Sequence, residues 1–329
     1  MNDDRATHPP FDVQVDAEVR QLSDTYTGRG LTIDRLDEFR AASYVERPAE
    51  EVLTRGGAVT VEELSVPPSH DRPAIDLVVL RPARVRGRRP LLFGIHGGGM
   101  MAGNKWDLTD RMAEWVELTG CLAVGLDYRL APEFPHPYPV EDCYAALAWL
   151  VSRAEELGIE SGHVVIYGQS AGGGLAAAVS LVARDRGFPA IAFQVLECPM
   201  LDDRMATPSS TEIHDEGCWD NQSNQLGWES LLGSARGTAD VSPYAAPARA
   251  TDLDGLPATY IDVGQVEVFR DEAIQFACRL TAARVPVELH VWPGACHVFD
   301  LLAPDADLSR IAKRVRTDYL RRAMLSLPL

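Results

Sequence analysis

From Val59 onward the chain alternates between short apolar runs and longer stretches whose apolar residues recur every three or four positions. The short runs fall at about 59–66, 74–81, 91–95, 121–127, 163–167, 191–197, 258–263 and 287–292. Several are apolar at almost every position, as in Leu91-Leu92-Phe93-Gly94-Ile95 and Val164-Val165-Ile166-Tyr167. Runs of that kind predict strands covered on both faces. In the last run Val287, Leu289 and Val291 alternate with Glu288, His290 and Trp292, which predicts a sheet-edge strand with one wet face.

The intervening stretches read as helices. Val140, Cys143, Leu147, Leu150 and Val151 form a stripe after Pro139 in a first turn, ending near Gly158. Leu175 to Ala183 is apolar all round, as a helix buried against a sheet should be. Further helices are predicted at 105–118, 269–283 and 306–325. This alternation predicts an α/β fold, with a mostly parallel eight-stranded sheet and helices on both faces. The first two runs have no helix between them and predict an antiparallel start.

Two segments break the rhythm. Residues 1–55 are polar, with Val15, Val19, Leu22 and Tyr26, then Ile33, Leu36 and Phe39, at helical spacing. Two short amphipathic helices separated at Gly28–Gly30 are expected there. Residues 202–236 are polar, carry Trp219 and Trp228, and suggest helix without strand. An insertion late in such a sheet faces the carboxyl ends of the strands and makes a natural lid. The expected organisation is a core of 56–201 and 237–329, an N-terminal helical segment 1–55 and a helical insertion 202–236.

Composition narrows the function classes. With 31 basic against 48 acidic residues and a net charge of −17, the chain has no basic footprint for nucleic acid or for anionic lipid. Six cysteines show no C-x-x-C pair and no zinc-ligand spacing, which predicts buried thiols in a reducing compartment; no metal or organic cofactor is expected. No apolar run approaches the ~18 residues of a membrane span, and MNDDRATHPP has no signal-like apolar core. A cytoplasmic protein without stable membrane association is expected, acting on a small molecule.

The chemistry gathers at the ends of the predicted strands. Gly168-Gln169-Ser170-Ala171-Gly172 follows an apolar strand and opens the apolar helix, which is the context that gives G-x-S-x-G its meaning. Its small residues permit a tight turn that lifts the Ser170 hydroxyl above the sheet, at a helix N-terminus that favours developing negative charge. His96-Gly97-Gly98-Gly99 follows the strand ending at Ile95 and exposes backbone N–H groups suited to an oxyanion hole. The serine then needs a base and the base an orienting carboxylate. Among eight histidines, His297 follows the last strand and its Pro293-Gly294 turn. His8 and His70 lie in polar irregular segments, His290 on a strand, His163 before the serine strand, His214 in the insertion, His136 among prolines, and His96 in the glycine motif. The acid should lie between Ser170 and His297 just after a strand; Glu267 fits, with Asp262 and Asp271 as rivals.

These motifs resemble those of the hormone-sensitive-lipase-like esterases, family IV of the bacterial lipolytic enzymes, which have the α/β-hydrolase fold. The matching segments are His96–Gly99, Tyr128-Arg129-Leu130-Ala131-Pro132-Glu133, Gly168–Gly173, Phe269-Arg270-Asp271-Glu272 and His297-Val298-Phe299, in the expected order. The resemblance implies a serine carboxylesterase for short- to medium-chain acyl esters, with Ser170 as nucleophile and His297 as general base. It also implies oxyanion N–H groups from Gly98, Gly99 and Ala171, a buttress from Tyr128 to Glu133, and a cap made by the N-terminal segment and the insertion. A homodimer pairing through 287–292 is a further expectation. Three departures stand out: Glu267-Val268-Phe269 replaces the usual Asp-Pro-Leu, Gln169 replaces the usual Asp beside the serine, and Met100-Met101 replaces an aromatic residue. With Trp219, those methionines are expected to wall a pliable substrate pocket. An amide or arylacetamide deacetylase with the same triad is the alternative within the fold, and a non-catalytic ligand-binding protein the alternative outside enzymes. Dehalogenase and epoxide-hydrolase chemistry would need Asp at the position of Ser170. True lipase activity is disfavoured by the absence of a strongly apolar lid stretch.

Overall fold

The order of strands in the sheet explains where a site can form. The computed structural model describes residues 8–84 and 87–326. Its strands are β1 (Val59–Val66), β2 (Ile75–Pro82), β3 (Arg89–Ile95), β4 (Leu122–Leu126), β5 (Ile159–Gln169), β6 (Phe193–Glu197), β7 (Ala258–Gly264) and β8 (Val287–Trp292). They form one sheet in the order β1-β2-β4-β3-β5-β6-β7-β8. β2 runs antiparallel to β1 and β4, and all other pairs are parallel. The predicted antiparallel start is therefore present, and the order reverses around β3 and β4. Loops leaving neighbouring parallel strands in opposite senses open a crevice at their carboxyl ends.

The central strands β3 to β6 are buried along most of their length, whereas β1 and β8 form the edges and are partly wet. Helix Ala171–Arg186 is buried from its first residue through Ala183. Its glycines and alanines let it press close to the sheet, and Gly187 ends it in the left-handed conformation. Helix Tyr138–Ser152 buries the predicted stripe, and a short helix Ala154–Leu157 follows it to the left-handed Gly158.

Three expectations need correction. The N-terminal region forms four short α-helices, not two: Val13–Val19, Asp24–Thr27, Leu36–Ser43 and Glu50–Thr54. Ser23 caps the second and the left-handed Gly28 stops it, so the turn is too short to bury Tyr26, which is 45% exposed, and Ile33 is 57% exposed. Its residues 1–7 lie outside the described residues. His163 lies inside β5 and not before it, because Ile159 already pairs with Arg89. Cys278 is exposed on its helix, whereas the other five cysteines are buried. Among the described residues no helix is long and apolar enough to cross a membrane.

Candidate active site

Strand register brings the sequence motifs together. Ile95 pairs with Gly168, Gln169 with Glu197, and Glu197 with Asp262, so the segments after β3, β5, β6 and β7 leave the sheet side by side. Ser170 turns sharply out of β5 at φ 58° and ψ −122°, a conformation that only surrounding structure can hold in a side-chain-bearing residue. Its N–H donates to the Glu197 carbonyl at 2.8 Å, and its carbonyl accepts from the Met200 N–H at 3.0 Å. Packing also enforces the turn: a Cβ on Gly172 would come within 2.0 Å of the Ile95 carbonyl oxygen. The two glycine motifs are thus in direct contact, and any side chain at 172 would force them apart.

His297 reaches this serine from the loop after β8. Its Nε2 lies 2.8 Å from Ser170 Oγ and its Nδ1 3.0 Å from Glu267 Oε1. The second Glu267 oxygen accepts the Gly264 N–H at 2.8 Å, which fixes the carboxylate at the end of β7. Ser170, His297 and Glu267 are 6, 3 and 1% exposed. With the proton on Nδ1, the imidazole donates to Glu267 and its Nε2 accepts from the serine hydroxyl. The rival acids face elsewhere. Asp262 binds Arg316 at 2.7 Å, and Asp271 binds Arg270 at 2.7 Å and the Ser209 N–H at 2.9 Å.

The loop after β3 is arranged as an N–H donor cradle. Gly98 and Gly99 take φ of 93° and 62°, open to glycine at little cost. Three carbonyls of this loop are engaged: Tyr128 Oη donates to those of His96 and Gly97, and the Met101 and Ala102 N–H groups donate to that of Gly98. The N–H groups of Gly98, Gly99 and Ala171 have no hydrogen-bond partner among the described residues. A Cβ on Gly97 would lie 3.2 Å from Ser170 Cβ, so the loop rests on the serine. His96 stacks on Tyr128 at 4.2 Å, and burial pushes its pKa down to about 4. It is a neutral structural ring.

Of the three residues expected to wall the pocket, Trp219 packs its ring on Gly99, where a Cβ would come within 2.3 Å of it, and against Phe39 at 6.0 Å. Met100 and Met101 are fully buried in the main core, with the Met100 methyl near Gly174. The N-terminal segment and the 202–236 insertion are stitched to each other here. Gly30 N–H donates to Asp220 at 2.9 Å and Leu31 N–H to Ser223 Oγ at 3.0 Å, and Ser223 donates to the Gly28 carbonyl.

Two features escaped sequence reasoning. Arg40, on helix Leu36–Ser43, donates to the Met101 and Ala131 carbonyls at 2.8 and 3.0 Å and pairs with Glu133 at 2.6 Å. It braces the donor loop against the Tyr128–Glu133 segment, and nothing in its local sequence distinguishes it from a surface arginine. The second is a buried charge cluster beneath β5 to β7. Arg316 binds Asp262, Asp300 and Glu197 at 2.7, 2.9 and 3.2 Å, while Arg111 binds Glu197 and also Asp300 at 3.1 Å. Burial opposes ionisation of Asp300, but the two guanidiniums outweigh it and hold its carboxyl low. Burial dominates at Glu197 and raises its carboxyl. Gln169 Nε2 donates to Glu197 Oε1 at 2.9 Å. This accounts for the departure at 169: an aspartate there would set a fourth carboxylate against Glu197, where an amide donates.

Comparison with known proteins identifies the family of this fold. Residues 92–301 match the family described as alpha/beta hydrolase fold. Carboxylesterase NlhH of Mycobacterium tuberculosis is 32% identical over 304 residues, covering 89% of this chain and 92% of that protein. Among solved structures, a bacterial heroin esterase superposes with a TM-score of 0.87 at 37% identity, covering 97% of this chain and 99% of that one. Esterase LipW from Mycobacterium marinum does so with a TM-score of 0.80 at 30% identity, covering 97 and 99%. A sheet that ends in a serine elbow, with a donor loop beside it, defines a hydrolase of the α/β type. The chain belongs to the α/β-hydrolase-fold family, among its hormone-sensitive-lipase-like members, and is a carboxylic ester hydrolase.

Proposed function

We propose that Ser170 is the nucleophile, His297 the general base and Glu267 the orienting acid of a serine carboxylesterase acting on small esters. Ser170 Oγ attacks the ester carbonyl carbon as its proton passes to His297 Nε2, and Glu267 steadies the imidazolium through Nδ1–H. The carbonyl oxygen, now negative, rests on the N–H groups of Gly98, Gly99 and Ala171. Collapse expels the alcohol, protonated by His297, and leaves an acyl group on Ser170. Water gives its proton to His297 and attacks the acyl carbon; on collapse His297 returns that proton to Ser170 Oγ as the acid leaves. The observation that carries this reading is the unbroken Ser170–His297–Glu267 chain of 2.8 and 3.0 Å contacts.

The N-terminal segment and the 202–236 insertion act as a cap over this site, with Trp219, Met100 and Met101 bounding the acyl pocket. Short acyl groups suit a serine only 6% exposed, and one relative is named acetyl-hydrolase, 34% identical over 245 residues. The unpaired thiols fit a cytoplasmic protein, and the β8 edge is where a second copy would pair. Initial rates on nitrophenyl esters from acetate to dodecanoate, with Ser170→Ala alongside, test the assignment. Turnover peaking at short chains and lost in the variant is expected. A folded wild-type protein that binds these esters and turns none over would overturn it.

A further inference from the structure

Cys198 stands at the exit of β6 beside the triad and has no part in the ester chemistry. Its backbone is left-handed at φ 38°, fixed by donation of its N–H to the Asp262 carbonyl at 2.7 Å. Its sulfur, a carboxylate oxygen of Glu267 and a ring nitrogen of His297 all lie within 4.8 Å of one another, and all three side chains are buried. Thiolate, imidazole and carboxylate together form a ligand set for zinc and its heavier congener cadmium. A tetrahedral ion with ligand bonds of about 2.0–2.3 Å sets its donor atoms about 3.3–3.6 Å apart. The three atoms are therefore about 1.5 Å or less from chelating distance, within reach of small side-chain rotations.

The surroundings distinguish this thiol from a cysteine that merely fills apolar space. Burial first, and then the carboxylates of Glu267, Glu197, Asp262 and Asp300, push the Cys198 thiol up. Four carboxylates against the two guanidiniums of Arg111 and Arg316 leave these surroundings net negative, which favours a dication whose own charge then stabilises the thiolate it binds.

We propose that Cys198, Glu267 and His297 bind a thiophilic divalent cation, Zn2+ or Cd2+, and that the bound ion reversibly switches ester hydrolysis off. This rests on the assignment of His297 as the general base. Binding releases the thiol proton to solvent as the sulfur–metal bond forms. If the ion takes Nδ1, the ring proton moves to Nε2, which then cannot accept the Ser170 proton. If it takes Nε2, that lone pair is consumed directly. Either geometry removes the base, and withdrawing the ion restores it.

The test is nitrophenyl acetate hydrolysis by the full-length protein against buffered free Zn2+ and Cd2+, followed by chelation. The expected result is inhibition that EDTA reverses. Because losing even an outer-shell partner costs about 10–100-fold in metal affinity, Cys198→Ser and Cys198→Ala should each need at least tenfold more metal, measured against their own metal-free rates. Cys278→Ser, which removes the exposed thiol, should be inhibited like wild type. Inhibition unchanged in both Cys198 variants, inhibition lost in Cys278→Ser, or none at millimolar metal would overturn the proposal. A second readout needs no turnover: Cd2+ added to Ser170→Ala/Cys278→Ser should produce a thiolate-to-cadmium ultraviolet band that is lost on further replacement of Cys198. If that band forms and no esterase activity exists, the metal site stands and the ester reading fails; if activity exists without the band, the reverse holds.

Discussion

The elbow that carries Ser170 and the N-terminal and 202–236 segments are held in opposite ways. At the elbow the constraints are steric and come from backbone against backbone: Gly172 against Ile95, Gly168 against Gly172, and a serine pinned through its N–H and its carbonyl. In those segments the constraints are polar and come from far along the chain, as when Ser223 bridges to Gly28 and Leu31. Backbone contacts in a close-packed sheet leave no room to yield, whereas single side-chain hydrogen bonds contribute about 0.5–1.5 kcal/mol each and can open locally. As the proposed cap, segments that can loosen above a rigid elbow suit a site that admits and releases small esters.

Predictions that probe this contrast run from large effects to small. Ser170→Ala should lower kcat by about 10⁴–10⁶ while leaving the thermal transition in place. Steady-state rates beside circular dichroism check this. Glu267→Gln should lower kcat by about 10²–10⁴, whereas Asp271→Asn should change it by only a few fold. A larger loss at Asp271 in a folded protein would transfer the role of the acid.

Gln169→Asp sets a carboxylate beside Glu197 in a buried cluster, and an uncompensated buried charge costs about 3–5 kcal/mol. Denaturant titration should show that loss, and Glu197→Gln added to it should recover part, because the new amide donates where the old carboxylate repelled. Two losses that simply add would show that 169 and 197 do not interact. In the proposed cap, Ser223→Ala should cost about 1–3 kcal/mol locally by stranding the Leu31 N–H. It should speed proteolytic nicking near Gly28–Gly30 and move KM more than kcat.

A pH-dependent effect on stability lies behind the donor loop. Burial first, offset in part by the Asn104 N–H and reinforced by Asp127, raises the Asp107 carboxyl to about 7. The unfolded chain ionises this group at lower pH than the native protein does. Its contribution is therefore complete below the ordinary carboxylate range and is lost as pH rises through about 7. Asp107→Asn escapes that loss, so its Tm should exceed wild type at pH 8 and the gap should close by about pH 4. A gap that is the same at both values would contradict the raised carboxyl.

The same contrast explains what could be read from the amino-acid sequence. The sheet, its antiparallel start, the serine turn and the glycine loop follow from local rules, since apolar runs and glycines act on their immediate neighbours. Glu267 was legible because it comes three residues after a strand, although only the structure shows its second oxygen tied to Gly264. Arg40, Cys198 and the partnership of Gln169 with Glu197 were not legible. Each depends on residues that strand order brings together, and no periodicity encodes that. The N-terminal helices were misjudged for a related reason: they are short pieces whose boundaries depend on caps and on contacts with the insertion.

The most direct test of the central claim is covalent labelling with a nitrophenyl phosphonate, read by intact mass and peptide mapping. The account predicts one phosphonyl group per chain, on Ser170, with release of nitrophenol and loss of esterase activity in parallel. It also predicts no adduct in Ser170→Ala and much slower labelling in His297→Ala. An adduct on another residue that accompanies the loss of activity, or full activity in a protein labelled at Ser170, would contradict it.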